Sequence, residues 1–223
     1  MYNEETHAYL IGLFFSVLKS RGERGIRVFT AGTRYYSEQR GRRMALRALR
    51  DDQELNFDTY FAYGEWNPSG TVSMEYVTET AGNSFVERIS ACPWAAAFAA
   101  MGLRDCGQLY CREIDRGIIR GFNPDLRFEV KSTLNDADTC VQVFENFAPQ
   151  KKVMSPPDGK QDWQYHCAHI LSAMTDVVRA AGFAEVPAAV KAGFIQKYGE
   201  NAYQGIAEQE INFNLPLPFS KPV

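Results

Sequence analysis

The spacing of apolar residues predicts that the chain begins with a buried helix. Apolar side chains recur three or four positions apart from Leu10 to Leu18, after Asn3, a residue type that caps helices. The apolar run is shorter than the roughly 18 residues that a membrane-spanning helix needs. It also follows two acidic residues, where a signal peptide would carry basic ones. A second helix is expected from about Ile26 to Arg50.

The middle of the chain changes to a pattern typical of β-strands. Aromatic and β-branched residues, interrupted by turns at Asn67-Pro68-Ser69-Gly70 and Ala81-Gly82-Asn83, predict an antiparallel meander. Strands are expected near Phe57 to Tyr63, Thr71 to Thr80, Ser84 to Ile89, Arg127 to Thr133 and Thr139 to Glu145. Between the third and fourth of these, Pro93 favours the start of an alanine-rich helix, Trp94 to Met101, and a further helix covers about Gln108 to Arg120.

A proline-containing segment precedes the helical end of the chain. Pro149 to Asp162 predicts a long loop, and helices are expected at Trp163 to Ala181 and Pro187 to Glu208. The tail from Ile211 to Phe219 alternates like an edge strand until its prolines prevent ladder hydrogen bonds. These elements predict an α+β fold, a mainly antiparallel sheet flanked by helices, with helical N- and C-terminal segments. We expect a single domain, 1–223, with a helical part at 1–54, a mixed core at 55–148, a loop at 149–162 and a helical part at 163–223.

Composition narrows the class of protein. The chain has 223 residues, 45% of them hydrophobic and 23% charged, as is ordinary for a soluble globular protein. A net charge of −3 gives no reason to expect nucleic acid or a membrane surface as a partner. Five cysteines without an export signal predict reduced thiols in the cytoplasm. The apolar tail and the phenylalanine-rich first helix would also suit a homo-oligomer.

Two thiols each lie close to a carboxylate along the chain. Cys111 and Asp115 are four residues apart, the same-face spacing of a helix, and Asp138 and Cys140 are two apart, the same-face spacing of a strand. Each thiol can therefore share a surface with its own carboxylate. Such a pairing suggests a chemical role, because a buried acid without a partner is costly.

The predicted second helix is rich in arginine and contains one acidic residue between Ile26 and Arg50, Glu38. Its arginines are Arg27, Arg34, Arg40, Arg42, Arg43, Arg47 and Arg50. One interpretation is a solvated or salt-bridged helix face, the usual role of helical arginines. The other is an anchor for a carboxylate, since a guanidinium pairs with a carboxylate bidentately.

An ordered set of short motifs resembles the L-2-amino-thiazoline-4-carboxylic acid hydrolase family over residues 26–147. The motifs are Arg40-Gly41-Arg42-Arg43-Met44-Ala45, Tyr63-Gly64-Glu65-Trp66, Cys92-Pro93-Trp94, Gly102-Leu103, Tyr110-Cys111-x-x-x-Asp115, Phe122-Asn123-Pro124, Ser132-Thr133-Leu134 and Asp138-x-Cys140. The resemblance implies a hydrolase of cysteine metabolism with a small-molecule substrate, a cyclic thiazoline that it opens to an N-carbamoyl cysteine. The family also looks distantly related to vinyl-reductase-type domains that bind small molecules. That relation leaves a non-catalytic binding module as the alternative.

The implied reaction needs a base for the attacking water, an acid for the leaving group and an anchor for the substrate carboxylate. Asp115 and Asp138 are the candidates for acid and base, provided that their environments separate their pKa values. The candidate substrate-binding residues are Arg40, Arg43, Arg112, Cys92 and Trp94.

Three roles are open for the cysteines. Cys111 and Cys140 could be nucleophiles, although a neighbouring carboxylate raises a thiol pKa and so opposes this role. With Cys92 they could instead bind a divalent metal such as zinc or manganese, although the spacings are long and there is no C-x-x-C. The third role is lining of the pocket or the core, which is expected for Cys106 and Cys167. The sequence is compatible with a divalent metal cofactor and equally with none.

Overall fold

A computed structural model of the protein describes residues 2–70, 73–209 and 211–214. This part of the chain contains eight helices and one four-stranded sheet. The helices are α1 (Glu4–Lys19), α2 (Gly22–Arg50), α3 (Phe57–Ala62), α4 (Pro93–Ala100), α5 (Arg104–Phe122), α6 (Trp163–Ala180), α7 (Val186–Tyr198) and α8 (Glu200–Ala207). The strands are β1 (Glu75–Ala81), β2 (Ser84–Ala91), β3 (Phe128–Ser132) and β4 (Cys140–Phe144). The α+β prediction, with helical segments at both ends, is confirmed.

The sheet is antiparallel throughout, with strand order β1-β2-β4-β3. In the central pair, Glu87 lies opposite Gln142 and Ile89 lies opposite Cys140. Because alternate residues of a strand share a face, these four side chains project from the same side of the sheet. This face carries part of the site described below.

Helices α2 and α5 pack closely because glycines lie at their contact. A Cβ atom added at Gly41 would lie 2.0 Å from the Ile118 carbonyl oxygen, and one at Gly121 would lie 2.3 Å from the Glu38 carbonyl oxygen. Neither position has room for a side chain, so the two backbones approach as only glycine allows. This contact brings the middle of α2 against the middle of α5.

The first helix forms as predicted. The Asn3 side chain accepts a hydrogen bond from the Thr6 N–H and caps α1, and Leu10, Phe14 and Leu18 are fully buried. The largest cluster of buried apolar residues extends from Ala8 in this helix to Phe213 near the end of the described chain. None of the helices that the structure describes is long and apolar enough to cross a membrane.

Two predicted elements have a different structure. The strand expected at Phe57 to Tyr63 is helix α3, whose N-terminus is capped by the Asn56 side chain through the Thr59 N–H. The single helix expected at Pro187 to Glu208 is two helices, since Gly199 between them has a φ of +87°, outside the helical range.

The remaining differences concern the ends of elements. The second helix begins at Gly22, earlier than predicted, and β1 begins at Glu75. The start of that predicted strand, at 71–72, lies outside the described residues. In the tail, 211–214 do not form a strand, and 215–219 lie outside the described residues.

Candidate active site

A cavity of about 340 Å³ lies between one face of the sheet and helices α2, α4 and α5. Its wall includes residues from β1, β2 and β4, the N-terminal part of α4, and the 133–135 segment that follows β3. Of the residues predicted from the sequence, it contains Arg40, Cys92, Trp94, Cys111, Asp115 and Cys140. One cavity therefore brings together most of the predicted site residues.

Asp115 is the central ionisable group of the cavity. It lies one turn after Cys111 on α5, and its Oδ2 atom accepts a hydrogen bond of 3.0 Å from the Gln142 side-chain amide. Burial raises the pKa of the Asp115 carboxyl to about 6, although Arg40 and the Gln142 hydrogen bond act in the opposite direction. Asp115 can therefore gain and lose a proton near neutral pH.

The second carboxyl of the cavity is Glu87, which was not predicted from the sequence. It lies on β2 opposite Gln142, the residue that donates to Asp115. Burial, and then the negative charge of Asp115, raise the pKa of Glu87 to about 7. A signal was present in the sequence, because Glu87 has the same alternation as Phe85 and Ile89 and so shares their apolar face.

Asp138, the second carboxylate predicted from the sequence, lies elsewhere. It is exposed in the turn between β3 and β4 and is not part of the cavity wall. Strand β4 begins only at Cys140, so the two-residue alternation that was used to pair Asp138 with Cys140 does not extend back to Asp138. Of the four residues in the two predicted pairs, Cys111, Asp115 and Cys140 face the cavity and Asp138 does not.

Arg40 is a buried cation in the cavity wall. Its side chain is 1% exposed, and its Nε atom donates to Glu65 Oε2 at 3.2 Å. The other Glu65 oxygen accepts from Arg47 at 2.8 Å. The Trp66 ring lies 3.6 Å from the Arg40 guanidinium carbon, a cation–π contact. Two guanidinium groups thus share one carboxylate, which leaves an excess of positive charge beside the cavity.

Some buried polar atoms in this wall have no hydrogen-bond partner among the described residues. They are Arg40 Nη1, Tyr110 OH and Asn135 Oδ1. The Asn135 amide nitrogen is 3.5 Å from the Cys111 sulfur. Buried polar groups are normally satisfied, so these atoms indicate a site that is completed by a polar ligand or by water.

The other two candidate arginines lie outside the cavity wall. Arg112 is exposed and pairs with Asp136 at 2.5 Å. Arg43 donates to the Asn212 carbonyl oxygen at 3.2 Å, and its guanidinium carbon is 5.6 Å from the centre of the Phe213 ring. Other arginines of α2 also form ion pairs: Arg34 and Arg50 are exposed, and Arg42 is partly buried against Glu38. The salt-bridged interpretation therefore describes most of the helix, and the anchor interpretation fits Arg40.

Three thiols line the cavity, from Cys92, Cys111 and Cys140. Burial raises the pKa of each, to about 12 for Cys140, and Asp115 contributes in the same direction to all three. They are therefore neutral at physiological pH, which does not favour a nucleophilic role.

No group of three or more His, Cys, Asp or Glu side chains in the described ranges is placed to hold a metal ion. Cys106 and Cys167 are buried in the main apolar cluster.

Trp94, a residue of the cavity wall, is held in place by a hydrogen bond to His7, which lies behind the wall. The Trp94 indole N–H donates to His7 Nδ1 at 3.2 Å, and His7 Nε2 lies 3.0 Å from the Tyr36 hydroxyl. Because Nδ1 accepts, the proton of the neutral ring is on Nε2. Burial, assisted by the positive charge of Arg40, lowers the pKa of His7 to about 3.

His166 and His169 are also fully buried, and burial lowers their pKa values well below the usual range.

Because these three histidines are buried, we expect acid to destabilise the fold. Their pKa values are lower in the folded state than in the unfolded state, so unfolding takes up protons below about pH 6.5. Asp115 and Glu87 act oppositely, since their raised pKa values favour folding at low pH. The histidine contribution can be isolated with His169→Gln. His169 Nε2 lies 3.0 Å from the Gln39 side-chain oxygen, and the amide of the introduced Gln can form a hydrogen bond with the same partner.

We expect His169→Gln to be less stable than the wild type at pH 8 and to approach or exceed it at pH 5. Urea unfolding at the two pH values measures the difference. A stability difference that is the same at both pH values would contradict the assignment of His169 as a buried neutral group.

The sequence model of the L-2-amino-thiazoline-4-carboxylic acid hydrolase family matches residues 3–144, more than half of the chain. The chain therefore belongs to this family. The match extends from α1 to β4 and includes every residue of the cavity wall except Lys160. No match was found among curated proteins or among solved structures.

Proposed function

We propose that the cavity hydrolyses a small cyclic amidine that carries a carboxylate, as in the opening of L-2-amino-thiazoline-4-carboxylate to N-carbamoyl-L-cysteine. The observation that carries the proposal is the occurrence of two carboxyl groups with raised pKa values, Asp115 and Glu87, in the same cavity as Arg40. Family membership supports a hydrolase of this kind.

Arg40 is the proposed anchor for the substrate carboxylate. Its Nη1 atom is buried and has no partner within the described chain, whereas its Nε atom is held by Glu65. A carboxylate bound at Nη1 would satisfy this donor. The Trp66 ring, 3.6 Å from the guanidinium carbon, helps to hold the Arg40 side chain in place.

Asp115 and Glu87 are suited to opposite roles, because the pKa of Asp115 is the lower of the two. Ionised Asp115 takes a proton from water as the water oxygen bonds to the ring carbon between nitrogen and sulfur. The electron pair of the C=N bond moves to nitrogen, which receives the proton of Glu87. The C–S bond then breaks while the new hydroxyl becomes a carbonyl and returns its proton to Glu87. The departing sulfur takes the proton held by Asp115.

This mechanism assigns no covalent step to the thiols. Cys92, Cys111 and Cys140 line the cavity as neutral groups, and Asp115 would disfavour a thiolate at any of them. Their proposed role is to provide a soft, weakly polar wall for the sulfur-containing ring.

The proposal predicts a bell-shaped dependence of kcat/KM on pH. The rate should rise through about pH 6 as Asp115 ionises and fall above about pH 7 as Glu87 loses its proton. Because the two carboxyl groups interact electrostatically, the two apparent pKa values of the pH profile are properties of the pair and not of either residue alone. In Glu87→Gln the fall at high pH should disappear, and the maximum rate should drop by about 10²-fold. Release of thiol from aminothiazoline carboxylate, measured with a thiol reagent, provides the rates.

Asp138→Asn is the matched comparison for Glu87→Gln. Asp138 is exposed outside the cavity wall, so this variant should retain both the wild-type rate and the wild-type pH profile. A loss of the high-pH limb in Asp138→Asn, with Glu87→Gln unaffected, would transfer the acid role to Asp138. Absence of thiol release from the wild-type protein at every pH would overturn the proposed reaction itself.

A further inference from the structure

The cavity is larger than an aminothiazoline carboxylate requires. Its volume of about 340 Å³ falls in the range of roughly 300–1,000 Å³ that is typical of pockets for drug-sized ligands. The ligand of the proposed function is a single five-membered ring with one carboxylate and one amino group. The cavity therefore has room for a larger ligand.

The two ends of the cavity differ in polarity. Arg40 and Tyr110, whose side chains contribute unpartnered polar atoms, are almost fully buried. The solvent-exposed part of the wall is mainly apolar, with Phe61 39%, Met74 43% and Tyr76 56% exposed. It also contains Lys160, whose ammonium group is held by a hydrogen bond to the Gly64 carbonyl oxygen. Exposed large apolar side chains that line one cavity are typical of a binding surface.

The open end is continuous with the site of the proposed reaction. Tyr76 lies opposite Ile89, which is two residues from Glu87 on the same face of β2. The register of the β1–β2 pair shifts between Glu75 and Tyr76, and an irregularity of this kind often re-aims a side chain near a site. On the opposite side, the Phe61 ring packs 5.1 Å from the ring of Phe144, another wall residue.

We propose that the preferred substrate is a cyclic amidine carboxylate that carries an apolar substituent of about the size of a phenyl group on its exocyclic nitrogen. This inference rests on the proposed function. With the carboxylate at Arg40, the exocyclic nitrogen lies at the far side of the ring and directs the substituent toward Phe61 and Tyr76. The ring carbon between nitrogen and sulfur would then lie between Arg40 and the exposed apolar residues, within reach of Asp115 and Glu87.

The test compares 2-aminothiazoline-4-carboxylate with its N-phenyl derivative as substrates. The wild-type protein should show a kcat/KM about tenfold higher for the N-phenyl derivative, since burial of part of a phenyl ring contributes roughly this factor. Tyr76→Ser should remove most of the preference and leave the kcat/KM of the parent compound unchanged. Val77→Ser is the matched control, because Val77 neighbours Tyr76, is 66% exposed and is not part of the cavity wall.

Equal kcat/KM values for the two substrates, or an equal loss for both in Tyr76→Ser, would overturn this inference and leave the hydrolase proposal standing. Hydrolysis of neither substrate would overturn the hydrolase proposal. In that case, calorimetric titration with the unreactive 2-amino- and 2-anilinothiazole-4-carboxylates tests the substituent separately. About tenfold tighter binding of the anilino compound, lost in Tyr76→Ser, would support the apolar subsite, and equal affinities would reject it.

Discussion

Asp115→Asn is expected to abolish hydrolysis while the fold remains intact. The substitution removes the proposed base, so the rate should fall by at least about 10²- to 10⁴-fold. Asn keeps the shape of the side chain and can still accept the hydrogen bond from Gln142. The substitution therefore separates the chemical role of the carboxylate from its place in the structure.

The same variant should be at least as stable as the wild type at alkaline pH. The pKa of Asp115 is raised in the folded state, to about 6, so its contribution to stability decreases as the pH rises from about 4 to above 6. Above that range the wild type carries a buried charge that Asn lacks, worth on the order of 1–2 kcal/mol after allowance for screening. Urea unfolding at pH 8 and pH 4 should show an advantage for Asp115→Asn only at pH 8. Full hydrolytic activity in this variant would remove Asp115 from the mechanism.

Arg40→Met is expected to weaken both the fold and the recognition of the carboxylate. It removes a buried partner of Glu65, and breaking a buried ion pair costs about 3–5 kcal/mol. It also removes the proposed anchor, which should raise the KM about 10- to 100-fold. Urea unfolding and steady-state kinetics measure the two effects.

Arg47→Met separates the two effects. Arg47 pairs with the other oxygen of Glu65 but is not part of the cavity wall. We expect Arg47→Met to lose stability and to keep the wild-type preference for the carboxylate substrate over its carboxamide. Arg40→Met should lose that preference. If both variants kept it, the carboxylate would have to be bound elsewhere.

Local spacing predicted the parts of the site that lie within one element. Cys111 and Asp115 share a helical face as expected, because four residues span about one turn wherever the helix lies. Cys140 was placed correctly on a strand, but its pairing with Asp138 failed because the strand begins at Cys140 itself. Alternation is informative only inside the strand, and strand ends are poorly defined by sequence.

Contacts between elements could not be derived in the same way. Arg40 and Arg43 are three residues apart and equally cationic, yet one lies in the cavity wall and the other packs against Phe213. Residues three apart on a helix point in directions that differ by about 60°, and which of them faces the cavity depends on the tertiary packing of α2. The proximity of Glu87 to Asp115 is likewise a tertiary feature: Gln142, which lies opposite Glu87 on the neighbouring strand, donates a hydrogen bond to Asp115 on α5.

The assignment of α3 shows how composition can mislead. Phe57, Tyr60 and Phe61 suggested a strand because aromatic residues are enriched in sheets. Their spacing of three and four residues is helical, and Asn56 provides the cap. In this segment spacing and capping were better guides than residue type.

The most direct test of the central claim is a single-turnover reaction with L-2-amino-thiazoline-4-carboxylate in ¹⁸O-labelled water, followed by mass spectrometry of the product. The account predicts N-carbamoyl-L-cysteine with one labelled oxygen in the carbamoyl group for the wild-type protein, and unreacted substrate for Asp115→Asn. Tight binding of the substrate without any labelled product from the wild-type protein would contradict the account and identify the cavity as a non-catalytic binding site.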